Sequence, residues 1–348
     1  MIKQTNLYRE IHEQPDVLRR LLDSQKGPIE ELARAMKKHH IQQVMIAARG
    51  TSDNAGVYAK YVLGTMNGLP VAMAAPSLFT IYKHPPRLSN TLVLGISQSG
   101  KSPDIVSVLV EAKRQGALTA ALTNTPESEL AGQADVVIDL IAGEEKAVAA
   151  TKTYTGELGA IALLSALLAD DPIMKNELQA VPEAMSAVLS MNDLVAGAVS
   201  RYRYIKQCVV IGRGYNYATA FELSLKLQEL VYINAQPYSS ADFMHGPLAL
   251  IDTGFPIIVF APSGSMFDEM RELIDRVRDC KAEIICITDE PSLAQSVHTP
   301  LVLSTSIPEW LSPLTCIMPG QLFALYLAAT CGYDVDRPRS IHKITETT

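Results

Sequence analysis

The chain lacks several things, and each shortage excludes something. Its five cysteines, Cys208, Cys280, Cys286, Cys316 and Cys331, are odd in number and form no C-x-x-C pair. That argues against a disulfide framework or a cysteine zinc site and for buried thiols in a reducing compartment. Among the histidines, His12, His84 and His298 have no partner at a metal-ligand spacing, and His39-His40 follows Lys37-Lys38 at a helix end. No metal is expected. Long apolar runs are missing too. The strongest, GAIALLSALLA at 159–169, has eleven residues, too few to cross about 30 Å of hydrocarbon. The opening MIKQTNLYREIHEQPDVL is polar and charged, so no signal peptide and no membrane partner are read. Positive charge is in deficit, with 30 Lys+Arg against 37 Asp+Glu and a net charge of −7. A nucleic-acid partner is therefore not expected. No complete G-x-G-x-x-G occurs, since Gly212-Arg213-Gly214-Tyr215 starts one and stops. Nucleotide cofactors are disfavoured. What remains is a cytoplasmic chain of 348 residues, 48% hydrophobic and 19% charged, long enough for about two domains.

What is present is a repeat. Arg49-Gly50, closing the apolar run from Val44, matches Arg213-Gly214, closing the run Val209-Val210-Ile211-Gly212, at an offset of 164. Ser99-Gly100, closing the run from Leu92, with Asp104 following, matches Ser263-Gly264, closing the run from Ile257, with Asp268 at the same offset. Ala120 to Asn124 matches Ile285 to Asp289 with one residue more. Three strand-like segments holding one offset indicate a duplicated domain. In the first half, strands are expected at 43–49, 71–75, 91–97, 118–123 and 135–140, with helices at 54–67 and 103–115. Continuously apolar strands alternating with helices indicate an α/β chain with parallel sheets covered on both faces. The expected organisation is a helical segment 1–38, a first domain 39–170, a helical linker 171–204, a second domain 205–335 and a tail 336–348.

Ligands of such sheets gather beyond the carboxyl ends of the strands. Hydroxyl-rich loops fall there in the first half: Arg49-Gly50-Thr51-Ser52-Asp53-Asn54, Ser97-Gln98-Ser99-Gly100-Lys101-Ser102, Thr123-Asn124-Thr125, and Val148-Ala149-Ala150-Thr151-Lys152-Thr153. A strand followed by Ser-x-Ser-Gly-x-Ser and a helix start surrounds one point with backbone N–H groups and hydroxyls. The helix dipole adds positive potential, which suits a phosphate monoester. The plainer reading is that Ser52 and Ser102 only cap helices. In the second half the corresponding Ser263-Gly264 loop is poorer in hydroxyls.

That half carries Glu222, Lys226 and Glu229 instead, spaced by four and three on one helix face, with His245 sixteen residues on. Together they could move protons at neutral pH. A solvated salt-bridged helix beside an unrelated histidine would give the same pattern.

The segments RGTSDN, SQSGKSPD, AVAATKTYTGEL, GRGYNYATAFELSLKLQEL, DFMHGPLALI and DVDRPRSIHK resemble, in order, the double sugar-isomerase (SIS) domain family. That family includes the isomerase half of glucosamine-6-phosphate synthase. The resemblance implies two tandem flavodoxin-like SIS domains, and a homodimer whose active site takes a histidine from the neighbouring subunit. It implies that Ser52, Ser97, Gln98, Ser99 and Ser102, with Thr51 nearby, hold the sugar phosphate. Val148, Ala150 and Thr151 would line the sugar. Glu229 would shuttle a proton between C1 and C2, His245 would assist ring opening, and Lys343 would reach over the open-chain sugar. Glu222 and Lys226 would support them, with no cofactor.

Departures point to a direction of reaction. The synthases carry a glutaminase with an N-terminal nucleophilic cysteine, whereas this sequence starts Met1-Ile2-Lys3 and its first cysteine is Cys208. Lys101 stands where they have Glu, and Ala150 where they have Ser. The resemblance therefore implies a stand-alone glucosamine-6-phosphate deaminase, acting on a phosphorylated amino sugar and releasing ammonia. Another sugar-phosphate isomerase, a fructosamine-6-phosphate deglycase and a non-catalytic sugar-phosphate regulator remain as alternatives.

Overall fold

A computed structural model describes residues 2–341 and Lys343; the rest of the expected tail lies outside the described residues. The chain forms two units, each discontinuous in sequence. The first holds residues 16–145 and 152–179 with Lys343, and the second holds 2–15, 146–151 and 180–341.

Chain order begins with α1 (Asn6–Ser24), α2 (Lys26–Lys38), β1 (Gln43–Ala47), α3 (Thr51–Asn67), β2 (Val71–Met73), α4 (Ser77–Thr80) and β3 (Thr91–Ile96). It continues with α5 (Pro103–Arg114), β4 (Leu118–Thr123), α6 (Glu129–Gly132), β5 (Val136–Asp139), α7 (Lys152–Ala169) and α8 (Pro172–Val188). The first sheet is parallel throughout, in the order β2-β1-β3-β4-β5. Val44 lies opposite both Val71 and Leu92. β3 and β4 are buried at every position, as expected for strands sandwiched between helices. α5 shows why such helices form. Pro103 opens it with a preset φ, Ile105, Val108, Leu109 and Ala112 bury one stripe against the sheet, and Gly116 turns the chain at positive φ.

The second part of the chain repeats this pattern. It consists of α9 (Asn192–Ala198), β6 (Gln207–Gly212), α10 (Tyr217–Val231), β7 (Asn234–Ser239), α11 (Ser240–Met244), β8 (Pro256–Phe260), α12 (Phe267–Asp279), β9 (Glu283–Thr288), β10 (Thr299–Val302) and α13 (Pro313–Thr330). Its parallel sheet runs β10-β9-β8-β6-β7, the same 2-1-3-4-5 order read from the other edge. The three repeated sequence segments fall on β1 and β6, β3 and β8, and β4 and β9. Two parallel five-stranded sheets flanked by helices thus agree with the expected fold class.

Two expectations need correction. The helix expected at 54–67 begins at Thr51. Gly50, at φ 55°, makes the turn, so Thr51, Ser52 and Asp53 enter the first helical turn, where an acidic residue is favoured by the dipole. Length and apolarity sufficient to cross a membrane do occur in one helix among the described residues, Pro313–Thr330. Gln321 and Thr315 interrupt its apolar residues, so no continuous run betrays it. It is buried along most of its length as a core helix, packed on α9 and α10 of its own unit.

Candidate active site

In the first unit, the loops after β1 and β3 flank the point where strand order reverses, between neighbouring strands whose chains leave in opposite directions. Gly100 has φ 62°, and a Cβ there would lie 2.0 Å from the Ser128 hydroxyl. Glycine is therefore needed to fold the Ser97–Ser102 loop this tightly. Ser97, nearly buried, accepts the Gly100 N–H at 3.1 Å, and Ser99 accepts that of Lys101 at 3.4 Å. Ser102 sits at the N-cap position of α5, yet its side chain makes no capping hydrogen bond. The plain capping role is not realised there.

The loop after β1 is braced from below. Ser52 donates to Glu157 of α7 at 2.7 Å, so its hydroxyl is engaged within the protein. Arg49 donates to the buried Asp104 at 2.8 Å and ties this loop to the first turn of α5. Burial raises the carboxyl pKa of Asp53 above the ordinary range, with the Arg49 charge partly opposing the rise. Thr51 occupies the first position of α3.

Gln98 lines a cavity of about 440 Å³ with Asn124, Thr125, Asp139, Ile141 and the chain at 143–145. Asn124 holds that wall by donating to Gly143 O at 2.8 Å and accepting from Ala142 N at 2.9 Å. The fully buried Glu145 carboxylate accepts from Thr153 N and Oγ1, near the start of α7, and from Lys343 Nζ at 2.8 Å. The tail lysine thus lies at the edge of the wall that Gln98 faces.

The second unit holds the other expected residues. Lys226 is buried on α10, its ammonium 3.5 Å from Glu222 and 2.6 Å from Glu229. Glu222 is fully buried, whereas the Glu229 side chain keeps 24% of its surface. This removes the reading of a solvated surface pair: the cation is sealed between two carboxylates, and only Glu229 reaches the surface. His245 follows α11 on an exposed loop, and its ring makes no hydrogen bond or ion pair among the described residues. The structure does not join it to Glu229 by a bond.

Val148, Ala150 and Thr151 belong to this unit, Thr151 being buried. Their loop is held by Glu10 of α1, whose carboxylate accepts from Lys146 N and Ala147 N, and by Asp336 O, which accepts from Val148 N. Asp336 also takes the first N–H groups of α1 on its carboxylate, from Asn6 and Leu7. Sequence reasoning missed Glu10, Asp336, Glu145, Glu157 and the Arg49–Asp104 pair. Only position relative to strand ends could have flagged the last.

The loop after β8 is arranged differently from its counterpart after β3. Ser263 gives both its N–H and its hydroxyl to Asp289, each at 2.6 Å, and Glu309 accepts from Ser265 N and Met266 N. After β3 the Gly100 and Lys101 N–H groups go to serine hydroxyls, whereas here the loop N–H groups go to the chain's own carboxylates.

A family model described as SIS domain matches residues 38–167 and again 202–331. The chain belongs to the SIS domain family. This SIS chain is 34% identical over 355 residues to a glutamine–fructose-6-phosphate aminotransferase [isomerizing] of Thermus thermophilus, with 97% of the chain aligned. It spans 58% of that relative's length. Among solved structures, a candidate phosphosugar isomerase from Silicibacter pomeroyi is 33% identical, with a TM-score of 0.86 over 95% of this chain and 100% of that one. The C-terminal domain of glucosamine-fructose-6-phosphate aminotransferase from Francisella tularensis is 26% identical, with a TM-score of 0.84 over 96% and 98%. SIS identity accounts for the paired sheets and for matching loops at equivalent strand ends.

Proposed function

We propose that this SIS chain is an enzyme of the sugar-phosphate isomerase class that deaminates glucosamine 6-phosphate to fructose 6-phosphate and ammonia. The observation that carries the reading is Lys226, buried between Glu222 and Glu229, with Glu229 alone reaching the surface. Moving a proton between adjacent carbons needs one positioned carboxylate, because the carbon acid is weak and the proton must be returned to a neighbouring atom. The buried ammonium fixes the Glu229 carboxylate while Glu222 balances the charge. The loops at Thr51–Ser52 and Ser97–Ser102, including the Ser102 hydroxyl that makes no capping bond, suit the phosphate.

His245 would assist opening of the pyranose ring. Glu229 would take the C2 proton and return it at C1 through an enolamine. The resulting C2 imine adds water and expels ammonia, which balances the reaction. Hydrogen bonds from Lys343 or from backbone N–H groups would stabilise the developing oxyanion. The exposed, unbonded ring of His245 suits delivery to a second copy of the chain, so a homodimer with shared sites belongs to the proposal. The aminotransferase relatives, whose name couples isomerisation to an amino group on fructose 6-phosphate, support an amino-sugar substrate.

A second reading, aldose–ketose isomerisation without loss of an amine, is favoured by the Silicibacter pomeroyi neighbour. The two use the same proton transfer and differ in what leaves. An ammonia-release assay with glucosamine 6-phosphate, galactosamine 6-phosphate and fructoselysine 6-phosphate, run beside ketose formation from plain aldose 6-phosphates, separates them. Ammonia from glucosamine 6-phosphate alone is expected. Ketose formation without ammonia would replace the deaminase reading with the second one, and tight sugar-phosphate binding without turnover would indicate a regulator.

A further inference from the structure

Glu145 lies outside every loop that the repeat and the motifs single out, yet it is an enclosed carboxylate facing a candidate catalytic group. Its side chain has no exposed surface, while that of Lys343 keeps 25%. Donors that converge on it include Thr153 N at 3.2 Å, Thr153 Oγ1 at 2.9 Å and Lys343 Nζ at 2.8 Å. Two of them come from the second residue of α7, where the helix dipole favours an anion. The carboxylate is therefore fixed by a rigid, buried helix rather than by the tail it holds. Beside it, Lys152 Nζ donates to Glu144 O at 2.8 Å, which fixes the backbone carrying Glu145. Glu145 also lines the cavity that Gln98 enters. A lysine side chain has four rotatable bonds and loses much freedom when it is placed.

We propose that Glu145 is a positioning residue, whose carboxylate anchors the Lys343 ammonium at the cavity edge so that it meets the open-chain sugar in one orientation. This rests on the reading of Lys343 as a group that reaches the substrate. Glu145 touches no reacting atom and acts only through Lys343 and the start of α7. An ion pair of this kind, held by two further hydrogen bonds on the acid, fixes direction as well as distance.

The test combines a chemical footprint with kinetics on the full-length protein. Brief acetylation with acetic anhydride, read by mass spectrometry, reports the reactivity of the Lys343 amine against the exposed Lys26. Lys343 of the unmodified protein is expected to react at least about fivefold more slowly than Lys26, and Glu145→Gln is expected to abolish most of that protection. Turnover of glucosamine 6-phosphate by E145Q is expected to fall about 10- to 100-fold with KM changed little. In a Lys343→Met background the same substitution should add almost nothing, because the two residues act as one unit. Unaltered Lys343 labelling in E145Q, or an undiminished kinetic loss in the K343M background, overturns the proposal. Should E145Q fail to fold, Glu145→Asp retains the charge and withdraws the oxygen by one methylene. Partial loss of protection is then expected, and full protection overturns the proposal. If the unmodified protein turns over no amino-sugar phosphate, the functional reading fails, while the footprint still decides whether Glu145 holds Lys343.

Discussion

Lys226 is an uncommon residue: an ammonium with 1% of its side chain exposed, between one wholly buried carboxylate and one that reaches the surface. A buried pair gains little over apolar packing, but removing one partner strands a charge. Lys226→Met should therefore cost about 3–5 kcal/mol of stability by urea unfolding. The double change Glu222→Gln with Lys226→Met should cost clearly less, because the wholly buried charge is gone and Glu229, left without its cation, still reaches water. Glu229→Gln should keep the fold and the affinity for sugar phosphate, yet lower turnover by about 10²–10⁴. A purified E229Q protein with near-normal turnover would remove Glu229 from the mechanism. None of this contrast was readable beforehand, since Glu-x-x-x-Lys-x-x-Glu is written identically on a wet helix and on a core one. What distinguishes the two is packing against α13, which lies some ninety residues further along the chain.

At the scale of the element, α5 and its leading loop were legible almost to the residue. Pro103, the Ile105-Val108-Leu109-Ala112 stripe and Gly116 each act through local geometry, and local geometry is what sequence patterns encode. The start of α3 was misplaced because the signal there is Gly50, whose turn conformation is needed before Thr51 and Ser52 can join the helix. The roles of the serines needed the structure. A serine at an N-cap normally contributes about 1 kcal/mol to helix stability, but Ser102 makes no such bond. Ser102→Ala is therefore expected to change unfolding free energy by less than about 0.5 kcal/mol. It should also weaken glucose 6-phosphate binding by calorimetry about tenfold, the effect of one lost hydrogen bond. A stability loss with unchanged affinity would return Ser102 to ordinary capping.

For the whole molecule, the repeat announced two like parallel sheets, whereas their strand order, with the first strand of each inside the sheet, needed the structure. Contacts such as Glu10 with Lys146 and Ala147, or Glu145 with Lys343, were not readable, because they join residues more than a hundred positions apart that carry no mutual pattern. The second unit also holds three buried thiols. Burial raises Cys208 and Cys286 from 9.0 to about 12 and raises Cys316 as well. Folded protein keeps these protons while the unfolded chain loses them above pH 9, so their contribution is intact below pH 9 and declines toward pH 12. The decline is up to about 1.4 kcal/mol per pH unit for each thiol. Urea unfolding at pH 8.5 and 10.5 should show this fall, and a C208A/C286A/C316A variant should show a flatter one. The loop after β8 carries a last consequence. On the proposed function, duplication would have doubled the scaffold without doubling its phosphate capacity, because Asp289 and Glu309 take the loop donors of the second copy. The stoichiometry should record that history: a titration with glucose 6-phosphate is expected to saturate at about one equivalent per chain, the second copy being its own ligand.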